Sequence, residues 1–410
     1  MITGRMRIIP IRNEVEAQEL IRRIGPDQAA VEIMSPKAVH RVIYVKNVST
    51  PAALILKQEM LARGGEAAIN RAVIVARTEM TDVLLMGTLQ QYRQVLHRLR
   101  QQPFGLKGLA VELEAILGTA EGLEPSPGLK CGAYQLPLGQ RTLIMGILNL
   151  TPDSFSDGGQ FNQPEVALAR ARQLVEDGAD LIDVGAESTR PGAQLVTAEE
   201  EWARLAPVLP LLLRELSVPI SLDTYKVEVA RKALDLGVGM INDIWGLRAD
   251  PEMAQVIAQY GVPVVVMHNR EQPHYQDLMA EIVQDLGYSL ALADQAGIDP
   301  QNIILDPGIG FGKTLEHNLE VMQRLAEIRS LGKPILIGTS RKSMIGQVLK
   351  VPVVQRLEGT IATVVLGING GADLVRVHDV RSMALAVQMT DAMVRFSSVG
   401  PGRKAKDQIN

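Results

Sequence analysis

The chain is short of several residue types, and each shortage closes off a class of protein. It contains one cysteine, Cys131, in 410 residues. No intramolecular disulfide and no Cys-based zinc site can form, which fits a reducing compartment. Aromatic residues are 3% of the sequence, against 16 methionines. A core with so few rings must be filled by Ala, Val, Ile, Leu and Met, and a sheet that stacks RNA bases on aromatics is excluded. No run reaches 18 uninterrupted apolar residues, so no membrane span is expected. The amino terminus turns charged too early for a secretory signal. A net charge of −4 and a pI near 6.0 give no bulk attraction for nucleic acid. What remains, 46% hydrophobic and 21% charged, describes a soluble, cytoplasmic α/β protein.

Residues 118–132, GTAEGLEPSPGLKCG, interrupt the apolar periodicity with four glycines and two prolines and read as a linker. Charge changes sign across it. Residues 1–117 carry 16 basic and 11 acidic side chains, net +5, and the rest carries 26 and 35, net −9. Before the linker, β-like runs (Ile8–Ile11, Ala30–Ile33, Val42–Val45, Val73–Val75, Val83–Met86) alternate with helical patterns over 51–63, 88–100 and 108–117. This predicts a small α/β extension at 1–117, with no cluster that suggests chemistry.

After the linker, eight apolar runs each end in a polar residue and lead into a helical pattern: Asn149, Glu187, Asp223, Asn242, His268, Asp306, Ser340 and His378 mark the ends. Continuously apolar strands alternating with helices argue for a parallel sheet covered on both faces. Eight such units argue for a closed (β/α)8 TIM barrel, here over 133–398, with 399–410 as a disordered tail. The active site of such a barrel lies at the carboxyl ends of its strands.

The strand-end residues form two chemical groups. Asp223, Asn242 and Asp306 would repel phosphate but suit a flat ring rich in N–H donors, such as an amino-pyrimidinone. Any one of them could be a helix cap or turn former; as a trio ending strands of one barrel they read as a site. Arg190, Arg341, Lys342, Arg376 and His378 would gather positive charge at one rim, suited to a pyrophosphate. Asn149 with Asp153 and Asp157 in the following loop offers oxygens for a hard cation such as Mg2+. GIGFGKT (308–314) fails the spacing of a nucleotide-phosphate loop, because Pro307 stands where glycine is needed. Its glycines read instead as a loop that approaches a ligand with its backbone. His268 reads equally as structural or pocket-lining.

The blocks ILNLTPDSFSDGG (147–159), DVGAESTRPGA (183–193), SLDTYK, INDIWG, LDPGIGFGKT, GTSRKSMIG and VRVHDV, in this order, resemble the dihydropteroate synthases over about two thirds of the chain. That resemblance implies a barrel enzyme, usually a homodimer, that joins p-aminobenzoate to a dihydropterin methyl diphosphate and releases pyrophosphate. It implies pterin binding by Asp223, Asn242, Asp306 and Lys342. Pyrophosphate would be held by Arg376 and His378, aided by Thr189 and Arg190. Mg2+ would lie on Asn149 and Asp157, and p-aminobenzoate against Phe155, Pro191, Phe311 and Ser343. A pterin-binding methyltransferase domain is the nearest rival, and a non-catalytic barrel is another. The TPDSFSDGG loop, the SRK triplet and RVH speak against the first, and intact charge at every catalytic position speaks against the second.

Overall fold

Apolar side chains collect into separate cores on the two sides of residue 125, and the chain divides accordingly into one unit within residues 1–124 and another within 125–397. The computed structural model describes residues 6–75, 77–121, 128–150, 164–187 and 195–395. The expected tail at 399–410 lies outside them.

The first unit runs α1 (Glu14–Arg22), α2 (Gln28–Ala38), β1 (His40–Ser49), α3 (Thr50–Leu61), β2 (Glu66–Ile69), α4 (Arg71–Ile74), β3 (Met80–Thr88), α5 (Leu89–Leu99) and α6 (Leu106–Glu121). β3 is the central strand, antiparallel to both β1 and β2. Ile43, Val83, Leu85 and Ala67 face the helices, where they join Leu56, Met60, Tyr92 and Leu113 in one core.

Three of the five expected strands differ. Ala30–Ile33 is helical, because Asp27 caps α2 by accepting from the Ala30 amide at 2.8 Å, and Val31 and Ser35 bury themselves one turn apart. Val73–Val75 falls at a helical turn started by Asn70, whose side chain accepts from the Ala72 amide. Ile8–Ile11 forms no element, and Ile8 is exposed. Short apolar runs carry no periodicity that separates strand from helix, so the local caps decide. The stretch read as a linker also narrows, since α6 continues to Glu121 and the next strand starts at Leu129.

The second unit opens with a hairpin of β4 (Leu129–Cys131) and β5 (Tyr134–Leu136). Then follow β6 (Leu143–Asn149), α7 (Pro164–Glu176), β7 (Leu181–Gly185), α8 (Ala198–Leu205), α9 (Leu209–Glu215), β8 (Ile220–Asp223), α10 (Val227–Leu236), β9 (Met240–Asp243), α11 (Met253–Tyr260), β10 (Val264–Met267) and α12 (Leu278–Ala296). The chain ends with β11 (Ile303–Asp306), α13 (Leu315–Gln323), β12 (Leu336–Ile337), α14 (Ser343–Leu349), α15 (Leu357–Asn369), β13 (Leu374–Val377) and α16 (Val380–Val394). Thr197 and Thr314 open α8 and α13 with capping boxes, and Gly237, Gly261 and Gly297 close α10 to α12 in left-handed conformation.

Strands β6 to β11 pair in sequence, all parallel, and β13 lies between β12 and β6. The Leu305 amide donates to the Pro334 carbonyl at 2.9 Å beside the Leu305–Ile335 bridge, which joins the two ends of the sheet. The result is the eight-stranded (β/α)8 barrel expected from the sequence. Alternate side chains point outward into the large core beneath the helices. Those pointing inward at the strand starts (Leu143, Leu181, Met240, Leu336, Leu374) pack against Leu129, Cys131 and Leu136 of the hairpin. The hairpin thus plugs the amino-terminal mouth; a side chain at Gly239, just before β9, would meet the Cys131 backbone at 3.2 Å. No helix of the described residues is long and apolar enough to cross a membrane.

Candidate active site

Two residues further along four of the strands, the same inward-facing register reaches polar side chains. Asp183 follows Leu181, Asn242 follows Met240 and Asp306 follows Ile304, while Arg376 follows Leu374 and Asp223 ends β8 beside Asn242. With a period of two, an apolar lower layer and a polar upper layer arise from one alternation. Gly185 and Gly338 keep the upper layer open. A side chain at Gly185 would stand 3.5 Å from the Asp223 Cβ and 3.7 Å from Asn149 Oδ1.

Four residues of the upper layer, Asp183, Asp223, Asn242 and Arg376, form one connected network. Arg376 donates from Nε to Asp183 Oδ2 at 2.6 Å and from Nη2 to Asp223 Oδ2 at 2.7 Å, and Asn242 Nδ2 donates to Asp183 Oδ2 at 3.1 Å. Burial disfavours the Arg376 charge, but Asp183 and Asp223 outweigh it and raise its pKa. Burial pushes Asp223 up to about 7, with Arg376 opposing and Asp183 reinforcing the rise. Asp306 is likewise raised by burial, against the hydrogen bond its Oδ1 accepts from the Gly308 amide at 2.7 Å. Asp183 Oδ1, Asp223 Oδ1 and Ser221 Oγ are buried without a hydrogen-bond partner among the described residues. Leaving a buried acceptor unpaired costs about 1–3 kcal/mol. Such atoms at the mouth of a barrel are built for donors brought by a ligand.

The expected rim of cations is differently organised. Arg376 sits among the acids, and Arg341 pairs with Asp379, donating from Nε at 2.9 Å. In an acid-rich unit the nearest carboxylate captures a guanidinium fork, a partition that strand-end counting does not reveal. His378 contacts Ser340 Oγ through Nδ1 at 3.0 Å. Lys342, at the start of α14, places Nζ 4.0 Å from the centre of the Phe311 ring. Ser343 is exposed on the first turn of α14, and Asn149 ends β6 half-buried. Phe155, Asp157, Thr189, Arg190 and Pro191 lie outside the described residues.

One buried and one half-buried charged group escaped the sequence reading. Asp183 sits inside the strand LIDVG, and a lone charge in an apolar strand was the available signal. Lys313 belongs to the glycine loop and meets His268 at 2.9 Å. Two of the loop's glycines also have a packing role. A Cβ at Gly308 would lie 1.9 Å from the His268 carbonyl, and one at Gly312 would lie 2.2 Å from that of Arg270. They let two loops pack backbone to backbone. Asp243, beside Asn242, is the turn former here, accepting from the Trp245 and Leu247 amides.

This geometry agrees with what comparison finds. The pterin binding enzyme family matches residues 145–378. A dihydropteroate synthase of Clostridium beijerinckii is 52% identical over 268 residues, 65% of this chain and all of that protein. The solved Xanthomonas albilineans dihydropteroate synthase with 4-aminobenzoic acid is 43% identical, with a TM-score of 0.64, covering 66% of this chain and all of the other. A probable bifunctional folylpolyglutamate synthase/dihydropteroate synthase of Halobacterium salinarum is 39% identical over 92% of this chain and 46% of its own length, so its likeness reaches into the first unit. The polar layer, its barrel and these relatives agree, and the chain belongs to the dihydropteroate synthases of the pterin-binding enzyme family.

Proposed function

We propose that the chain condenses p-aminobenzoate with (7,8-dihydropterin-6-yl)methyl diphosphate, giving 7,8-dihydropteroate and pyrophosphate. The observation that carries this reading is the pair of unpartnered, buried carboxylate oxygens on Asp183 and Asp223 beside Asn242. A pterin presents amino and ring N–H donors to such acceptors. The relatives' names state the same activity, and solved relatives hold 4-aminobenzoic acid and 7,8-dihydropteroate.

In the reaction, the bond from the pterin methylene carbon to the diphosphate oxygen breaks, and the arylamine nitrogen forms its bond to that carbon. The oxygen keeps the electron pair and leaves in pyrophosphate; the amine sheds one proton. Positive charge spreading from the methylene carbon over the ring is favoured by the acids Asp223 and Asp306. Lys342, His378 and Arg376 would balance the departing anion. The neutral amine needs no strong base, in keeping with a layer that holds none besides these carboxylates.

A hard cation suits the carboxamide oxygen of Asn149, which with Asp157 would hold Mg2+. When bound it would neutralise phosphate charge. Among the described residues no group of three or more His, Cys, Asp or Glu side chains is gathered for a metal; the diphosphate and water would supply further oxygen ligands. Self-association as a homodimer is supported by the exposed stripe Leu385, Met389 and Met393 on α16, with Leu366 on α15. A reducing, cytoplasmic location is the proposal that the single buried thiol supports.

The test is pyrophosphate release that depends on both substrates and is blocked by a sulfonamide analogue of p-aminobenzoate. A well-folded, dimeric chain without that release would refute the proposal.

A further inference from the structure

We infer that Lys313 is a positioning residue: its ammonium clips the Gly308–Phe311 turn to His268 and thereby sets the Phe311 ring against which Lys342 stands. This inference rests on the proposed reaction for its kinetic consequence, but not for its geometry.

The turn has one hydrogen bond of its own, from the Phe311 amide to the Gly308 carbonyl at 3.1 Å, and the Gly310 amide donates to Asn318 Oδ1 at 2.7 Å. Gly308, Gly310 and Gly312 all have left-handed φ (68°, 83° and 54°), so the rest of the turn's shape must be imposed by neighbours. Lys313 Nζ lies 2.9 Å from His268 Nδ1 and 3.1 Å from both the Gly308 and Phe311 carbonyl oxygens. An ammonium has three N–H donors and no acceptor. Three acceptors receive all three.

The state of His268 follows from its other side. Its Nε2 faces Asp285 Oδ2 at 3.2 Å, and Asp285 also accepts from Arg270 Nε at 2.8 Å. Burial works against the Asp285 charge, but hydrogen bonds from His268 and Arg270 outweigh it and lower its pKa. A carboxylate accepts only, so the imidazole hydrogen is on Nε2 and Nδ1 is left as a bare acceptor for Lys313. Burial pushes His268 down to about 4, which keeps the ring neutral. Asp285, His268, Lys313 and the turn are therefore linked by consecutive hydrogen bonds from α12 to the barrel mouth, with Lys313 donating to both sides.

The clip ends on functional positions. Phe311 is the residue that carries the Lys342 contact, and Asp306 precedes the turn by two residues. Burial also pulls Lys313 itself down to about 7; Asp306 and Asp285 oppose the fall, whereas Lys342 and Arg270 add to it. Loss of its proton removes one of three donors and loosens the turn.

The experiment uses the full chain with Lys313→Met, which retains the volume without the ammonium, and the pair His268→Asn and His268→Leu. Steady-state pyrophosphate release with each substrate varied is combined with backbone amide exchange across 308–314. Lys313→Met is expected to raise KM for p-aminobenzoate by roughly ten- to hundredfold, with a smaller fall in kcat and faster exchange in the turn. Exchange in the wild-type turn, corrected for its intrinsic pH dependence, should quicken as pH rises past about 7, and that quickening should vanish in Lys313→Met; this readout is independent of the activity change that Asp223 brings in the same pH range. His268→Asn, which keeps an acceptor in place of Nδ1, should stay near wild type where His268→Leu does not; this pair decides the matter if Lys313→Met does not fold. A folded Lys313→Met with unchanged KM and unchanged exchange overturns the inference. Wild-type chain without substrate-dependent release would refute the proposed reaction instead, and the exchange data would still decide the clip.

Discussion

Asp223→Asn should make the protein more stable and nearly inactive. In the folded chain Asp223 is buried, and its pKa is raised from 3.8 to about 7. Each pH unit of difference between folded and unfolded states is worth about 1.4 kcal/mol. The sign follows from proton counts. Between pH 4 and 7 the folded protein holds a proton on Asp223 that the unfolded chain has released, so stability falls as pH rises through that window and is level above it. By pH 8 the ionised, buried group costs about 4 kcal/mol. Asparagine removes that charge and keeps an oxygen for Arg376 Nη2, now 2.7 Å from Asp223 Oδ2. The value of about 7 already contains the attraction to Arg376; the amide NH2 left short of a partner in this layer costs about 1–3 kcal/mol, so a net gain of about 1–3 kcal/mol at pH 8 is expected. Denaturant unfolding at pH 5 and pH 8 measures it: the variant's advantage should be small at pH 5 and grow toward pH 8. An Asp223→Asn protein less stable than wild type at pH 8, or an advantage that shrinks as pH rises, would refute the reasoning.

Asp306→Asn should keep the fold, since its oxygen can still accept from the Gly308 amide, and should slow turnover by roughly a hundredfold or more in a pyrophosphate-release assay. Arg376→Met strands Asp183 and Asp223 without their shared partner; thermal unfolding should show a loss of about 3–5 kcal/mol. Calorimetry on the same variant should show weakened binding of the diphosphate substrate.

Much of the barrel was legible because its strands are buried on both faces. Continuous runs such as LIMGIL and VVVM, each closed by a polar residue, cannot be read as amphipathic helices, and eight of them leave few architectures. In the first unit the same method fails at Ala30–Ile33 and Val73–Val75, where runs of three or four residues were settled by an Asp or Asn cap. Among the site residues, Asp223, Asn242 and Asp306 stood out by ending strands. Asp183 did not, because it lies within one. Arg376 was visible as a cation, yet its partners come from β7 and β8, 193 and 153 residues away in the chain.

The division between the two levels is physical. Alternation along one strand is a local property, so the sequence by itself determined that apolar and polar layers exist, which face each residue takes, and what ligand chemistry the strand ends suit. Pairing of charges depends on which strands become neighbours across the barrel. Only the tertiary structure decided that Arg376 joins the acids, that Arg341 is held by Asp379, and that a glycine loop with little shape of its own is pinned by Lys313 and His268.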